Sequence, residues 1–394
     1  MTSTIKVAYI TEFDLEKLPR ESWPKKQLGH WGHCYHIAKS FESNSAAIQY
    51  VSPLSQKKAL IPKIKRRFYT SILQQVYHYW AEPTFSRHFA KQIQNKLSAL
   101  NTDIVFTTDP NLISYVNCHQ PIVLWTDTIY AGLINFYPTY FNLCQESLQH
   151  LRTLDRLALN NCSLIILASE WAAQSVIDNY NIDASKVKVV PHGANLECDR
   201  GLVDVTRIIK SRSSAVCKLL FIGVDWVRKG GNVTLEVVKA LNERGLSAEL
   251  TVVGSKPVSS EPLPSYVRYV GFIDQSQSQG LSQFNQLLAE SHFLIVPSRA
   301  ECFGHVFCEA NSFGVPCLAT KVGGIPTVIQ DGKNGKTFDL EADISEYCNY
   351  IIFLMQNYSE YKKLALASFH EYETRLNWVV AGKTVSNLIR QLIE

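Results

Sequence analysis

The stretch "SRAECFGHVFCEANSFGVPCLAT", residues 298–320, decides how the fold is read. It follows the apolar run "HFLIVPS", and near its far end it contains a second such run, "PCLAT". Neither run alternates between apolar and polar residues. That is the pattern of a strand covered on both faces, as in a parallel sheet. Between them, "FGHVFCEANSFG" turns at Gly304 and reads as a helix that stops at Gly314, with Pro316 just beyond. Strand, glycine turn, helix and strand make a βαβ unit. Glu301 lies before the turn and Glu309 about one helical turn after it.

A helix start offers open backbone N–H groups and a partial positive charge, and Gly304 lets the backbone approach a ligand closely. Phosphate oxygens suit such a place. Ionised carboxylates only accept hydrogen bonds, so Glu301 and Glu309 suit vicinal hydroxyls, as on a ribose or a hexose. A nucleotide-sugar carries a ribose, a pyrophosphate and a sugar, and this turn has a partner for each. Alone, either glutamate would read as a dipole complement or a solvated loop residue.

Working outward, the same alternation recurs. "KVAYI", "AAIQYV", "DIVFTT", "PIVLW", "SLIILA" and "VKVVP" read as strands in the first half. "CKLLFIG", "AELTVVG", "VRYVG", "HFLIVPS", "PCLAT" and "GKTF" do so in the second. Helical segments separate them, which predicts an α/β chain of two doubly wound Rossmann-like domains facing a cleft. A length of 394 residues suits two cores better than one. The polar segment 197–216 reads as the linker. The expected domains are therefore 1–200, 201–374 and a C-terminal helix, 375–394, returning to the first domain. One long last helix is expected from about Ser359 onward. Its final part carries Val379, Val385, Leu388, Ile389 and Leu392 as an apolar stripe.

The segment 292–338 resembles the C-terminal signature of the retaining GT-B glycosyltransferases of family 4, also called group 1. The resemblance rests on Pro297-Ser298, on Glu301 and Glu309 around Phe303-Gly304, on Gly314-Val315-Pro316 and on Gly323-Gly324-Ile325-Pro326. It implies that Glu309 binds the donor ribose, that Glu301 contacts the donor sugar, and that the amides of Gly304, His305 and Val306 meet the pyrophosphate. It also implies transfer of a sugar from a nucleoside diphosphate to an acceptor hydroxyl with retention of configuration. The acceptor would be a carbohydrate, a lipid-linked glycan or a small molecule. No metal and no cofactor beyond the donor are expected.

Three further segments fit this resemblance. In "FIGVDWVRKGGNV", Arg228, Lys229 and Gly230 stand before a helix, and cations with glycine amides suit a pyrophosphate. Lys229 matches a family lysine that contacts donor phosphates. The family's arginine after the strand glycine is replaced here by Val224, and Arg228 is the nearest substitute. "GHWGHCYHIAKSFE" is similar to the family's N-terminal glycine loop, with Gly32 placed to approach the donor phosphates. His30, His33 and His36 in it read as helix-facing or acceptor-facing rather than as metal ligands. Asp127 ends "PIVLWTD", where a carboxylate either faces the crevice of a doubly wound sheet or caps the next helix.

Composition excludes several classes. A net charge of +4 is too mild to argue for nucleic acid. Ten scattered cysteines without a CxxC pair read as reduced core thiols in a cytoplasmic protein rather than zinc ligands. "DGKNGKT" fails the P-loop pattern, because Gln330 stands where its first glycine belongs. The N-terminus lacks the look of a signal peptide and no run is long enough to span a bilayer. Residues 56–80 carry six Lys or Arg and no acid, with Ile64, Phe68, Ile72 and Val76 on one stripe. The stripe is expected to be core, and the basic patch leaves peripheral contact with the inner face of a membrane open. The competing functions are a nucleotide-sugar epimerase or phosphorylase on the same architecture, and a non-catalytic nucleotide-sugar-binding subunit.

Overall fold

The computed structural model describes residues 4–24, 27–44, 46–57, 60–258 and 262–394. Among them are twelve strands in two six-stranded sheets. The first sheet contains β1 (Ile5–Ile10), β2 (Ala46–Val51), β3 (Ile104–Thr107), β4 (Ile122–Thr126), β5 (Cys162–Leu167) and β6 (Val187–Val189). Its order is β2-β1-β3-β4-β5-β6, parallel throughout. The second contains β7 (Cys217–Gly223), β8 (Ala248–Gly254), β9 (Val267–Gly271), β10 (Phe293–Val296), β11 (Cys317–Thr320) and β12 (Gly335–Phe338). Its order is β12-β11-β10-β7-β8-β9, again parallel.

The apolar runs are strands because helices cover both faces of each sheet: β3, β4, β10 and β11 are buried along their whole length. In the first sheet Ile10, Val105, Leu124 and Ile165 share one core with Phe89 and Ile93 of the helix Pro83–Leu97. Each order reverses once, between β1 and β3 and between β7 and β10. At such a reversal the loops leaving the two strands diverge to opposite faces and open a crevice at the carboxyl ends.

The chain divides into two compact units. One comprises the described residues of Met1–Pro19, Gln27–Pro191 and Trp378–Glu394, the other those of Arg20–Lys26 and His192–Asn377. Val190 still belongs to the first sheet's surroundings: its N–H donates to the Leu167 carbonyl and its own carbonyl accepts from Trp125 Nε1. His192 instead stacks on His305. Within the first unit, the helix Trp378–Ile393 packs on the helix Leu28–Glu42. Gly382 makes that packing close, since a Cβ there would lie 2.6 Å from the Ser40 Cβ.

Two expectations need correction. The C-terminal helix is two helices, Tyr358–Thr374 and Trp378–Ile393, broken at Arg375–Asn377. The break is fixed by the Arg375 guanidinium, which donates to the carbonyls of Thr327 (2.6 Å) and Val328 (2.9 Å). Val379 of the expected stripe is exposed, while Val385 and Ile389 are buried. The stripe of residues 56–80 is not core either: Ile64, Phe68 and Ile72 are 60, 48 and 67 % exposed, and only Val76 is partly buried. Lys58 and Ala59 of that stretch lie outside the described residues. No helix among the described residues is long and apolar enough to cross a membrane.

Candidate active site

The crevice of the second sheet is built by the loop after β7 and the loop after β10. After Gly223 the chain buries Trp226, whose Nε1 donates to Asn232 Oδ1 at 2.7 Å. It then reaches Gly230 at φ +74 and starts the helix Gly231–Glu243. A Cβ on Gly230 would sit 2.0 Å from the Pro297 carbonyl oxygen, so only glycine lets this turn pack against the end of β10. That contact seats Lys229 and Arg228 beside the second loop.

The two loops are welded by polar contacts. The Arg299 N–H donates to the Arg228 carbonyl at 2.7 Å, and Arg228 Nη1 donates to the Ala300 carbonyl at 2.9 Å. The same guanidinium lies 3.6 Å from the carboxylates of both Asp225 and Glu301. Lys229 Nζ donates to Glu301 Oε2. Lys229 and Glu301 are 9 and 7 % exposed, so this is a buried ion pair with a second cation alongside. Gly324 of the glycine-glycine loop donates its N–H to the Glu301 carbonyl at 3.0 Å, and Thr320 Oγ1 donates to the Ser298 carbonyl. The segment that carries Glu301 is therefore fixed by both neighbouring loops.

Glu301 is followed by the turn. Gly304 takes φ +93 and leads into a helix of seven residues, His305–Asn311, with Glu309 in it. The helix ends before the expected Gly314, which takes φ +60 in the following turn. Glu309 is 6 % exposed. Burial is the main cause that raises its carboxyl from 4.5 to about 7, opposed by a backbone hydrogen bond from Asn195 and by the charge of Lys229. His305 Nδ1 donates to the Gly193 carbonyl at 2.9 Å, which leaves Nε2 as the acceptor nitrogen. Burial lowers the His305 pKa, so the ring is neutral at pH 7. His192 stacks on it at 5.4 Å and is itself held well below the usual histidine range by burial.

The second unit thus brings together Lys229, Arg228, Gly230, Glu301, Gly304, His305, Val306 and Glu309. Gly32 and Asp127 belong to the first unit. Gly32 does not stand in a lead-in loop, because the helix begins at Leu28 and Gly32 occupies its second turn. His33 and His36 pack against Trp378, the latter stacked on its ring. Asp127 is exposed just beyond β4 and is not the cap of the next helix, whose N-cap is Ile129.

Sequence reasoning passed over two groups. In "VKVVPHGAN", His192, Gly193 and Asn195 support His305 and Glu309, yet only its first part, "VKVVP", was read, and as a strand. A histidine directly after a strand and a proline was the available signal. At the reversal of the first sheet, Glu12 follows β1 and Asp109 follows β3. Burial, then the charge of Asp109, raises Glu12 from 4.5 to about 7. Asp109 is raised by burial, opposed by the Asn111 N–H, His30 and the Tyr130 hydroxyl. These carboxyls converge through topology, which nothing in their local sequence announces.

The chain is similar to known proteins. The family model described as "Glycosyl transferases group 1" matches residues 217–357, and that described as "Glycosyltransferase Family 4" matches residues 30–198. A D-inositol 3-phosphate glycosyltransferase of Actinosynnema mirum is 31% identical over 186 residues, covering 43% of this chain and 44% of that one. The chain spans about half the length of the first curated relatives it matches. Among solved structures, Anabaena HepE with UDP and glucose superposes with a TM-score of 0.61 at 16% identity, covering 98% of this chain and 99% of that one. WaaG, a glycosyltransferase involved in lipopolysaccharide biosynthesis, gives 0.64 at 15% identity, covering 97% and 99%. At such identities the likeness is one of fold, and the fold is GT-B. The chain belongs to the group 1 glycosyltransferases, family 4.

Proposed function

We propose that the protein transfers a sugar from a nucleoside-diphosphate sugar to an acceptor hydroxyl with retention of anomeric configuration. The observation that carries this reading is the grouping of Lys229, Glu301, Gly304 and Glu309 at the strand reversal of the second sheet. A carboxylate and a cation held together in a buried place suit a substrate with hydroxyls at its ends and a dianionic ester between them.

In this reading the Glu309 carboxylate accepts from the ribose hydroxyls, and the amides of Gly304, His305 and Val306 meet the pyrophosphate. An ammonium has three donors, so Lys229 can hold Glu301 and still donate to a diphosphate oxygen. Glu301 has lone pairs beyond the one Lys229 takes and accepts from a sugar hydroxyl. Arg228 is already committed to Ala300, Glu301 and Asp225, and it acts as a brace that keeps Lys229 on target. The bond between the sugar carbon and the diphosphate oxygen breaks as the acceptor oxygen bonds the same carbon from the same face. The departing diphosphate oxygen takes the acceptor's proton. Lys229 and the turn amides stabilise the charge that develops, a preorganised electrostatic role.

We assign acceptor recognition to the first unit, with Asp127, Glu12 and Asp109 as its polar groups. Ten cysteines that form no disulfide suit a reducing compartment, and we place the reaction in the cytoplasm. The test is direct. Purified chain is screened by thermal shift against nucleotide-sugars. The stabilising donor is then assayed for release of nucleoside diphosphate, and the product's anomeric configuration is read by NMR. A crystal soaked with nucleoside diphosphate that leaves Glu301 and Glu309 untouched would overturn the reading. An altered nucleotide-sugar without diphosphate release would mark an epimerase.

A further inference from the structure

We propose that the outward face of the helix Leu60–Ser71 docks on an anionic lipid bilayer. The helix is mounted the wrong way round for a soluble surface. Its polar and aromatic side faces the protein: Pro62 is buried, Lys65 Nζ donates to Glu146 at 2.5 Å, and Tyr69 stacks on Tyr77 at 5.1 Å. Its apolar side faces outward. Leu60, Ile61, Ile64 and Phe68 are all exposed, and so are Ile72 and Leu73 directly after the helix. At about 100° per residue, Leu60, Ile64, Phe68, Ile61 and Ile72 fall on one arc of about 120°. The following turn is fixed rather than loose, because Asn142 donates to the Gln74 carbonyl at 2.7 Å and accepts from the Val76 N–H at 2.9 Å. Phe141, next to Asn142, is exposed as well.

Charge decides what covers this face. Lys63 and Arg67 are exposed and flank the apolar arc, and residues 56–80 contain no acid. Lys65 is neutralised by Glu146 and Glu82 and does not count. A second copy of the chain would bring these cations against one another and be repelled. A bilayer interface offers phosphates at the level of Lys63 and Arg67 and an acyl boundary for Ile64 and Phe68. The surface shares no residue with the sugar-transfer site, so this proposal and the proposed reaction stand or fall separately.

The test is co-sedimentation of the full chain with phosphatidylglycerol–phosphatidylcholine vesicles and with phosphatidylcholine alone. Each basic residue at such a surface is worth about a factor of five, so Lys63 and Arg67 together give roughly a 25-fold preference for the anionic vesicles. Binding should weaken with salt. Ile64→Asp with Phe68→Asp removes the apolar wedge at exposed positions, and Lys63→Gln with Arg67→Gln removes flanking charge. Each pair should abolish most of the binding while donor-induced thermal stabilisation is unchanged. Failure of the unmodified chain to pellet with anionic vesicles overturns the proposal. So does equal binding to neutral vesicles, or full binding by the Ile64→Asp, Phe68→Asp chain. A concentration-dependent dimer in analytical ultracentrifugation, lost in that same variant, would assign the face to self-association instead.

Discussion

Glu309→Gln should make the protein more stable and less able to bind its donor, and both effects follow from one buried carboxyl. Glu309 is raised from 4.5 to about 7, chiefly by burial. That rise corresponds to about 3 kcal/mol of differential stabilisation of the protonated form. Because the native pKa lies above the unfolded one, folding carries no penalty below about pH 4.5, where both states hold the proton. The penalty grows between 4.5 and 7 and is complete above 7. Glutamine cannot ionise, yet its carbonyl can still accept the Asn195 N–H. The variant should therefore exceed the unmodified chain at pH 8 by up to about 3 kcal/mol, or roughly 5–10 °C in melting temperature for a unit of this size. At pH 5 the gap should shrink to under about 1 kcal/mol. Nucleoside diphosphate should bind about 10- to 100-fold more weakly to the variant, as expected when charge-assisted hydrogen bonds to a ribose are lost. Binding to the unmodified chain should strengthen as pH rises through 7 and the carboxylate forms. Differential scanning fluorimetry at the two pH values and isothermal titration with the diphosphate read both effects. Equal melting at pH 8, or a gap independent of pH, would refute the argument from burial. Unchanged diphosphate affinity would remove Glu309 from the ribose site.

Lys229→Ala should reduce turnover by about two to three powers of ten, the usual result of removing one preorganised donor. It should also cost stability, though less than the about 3–5 kcal/mol of a buried charge left wholly unpaired, because Arg228 stays 3.6 Å from Glu301. Lys229→Met combined with Glu301→Gln should restore the melting temperature without restoring turnover, and normal turnover in either variant would exclude the lysine. Gly230→Ala and Gly245→Ala separate backbone strain from collision. Both glycines have positive φ, but Gly245 opens onto empty space whereas a Cβ on Gly230 meets the Pro297 carbonyl. Urea unfolding should show about 1 kcal/mol of destabilisation at Gly245 and clearly more at Gly230. Turnover should be insensitive to a metal chelator, since Lys229 and the turn amides take the role a cation would play, and its abolition by chelator would reverse that assignment.

What could be read in advance was whatever local chemistry determines. The run "FLIV" cannot face water on either side, and a glycine between it and a helix announces a turn, so β10, Gly304 and Glu309 were legible from residues alone. The pairing of Lys229 with Glu301 was not, because the two are 72 residues apart and meet only where the strand order reverses. The same holds for Glu12 with Asp109. Periodicity failed for a different reason at Ile64, Phe68 and Ile72. A stripe states that a helix has an apolar side, and it says nothing about which side the rest of the molecule occupies. That choice was made by Lys65 and Tyr69, which found Glu146 and Tyr77 on the protein and drew the polar flank inward. An ordinary soluble helix would have gained more by turning over. With four exposed large apolar side chains within the helix, the orientation observed is stable in water only at the expense of buried area, at about 25 cal/mol for each Å² left uncovered. Among the described residues the polar contacts beneath offset part of that loss, and the proposed bilayer contact would offset more.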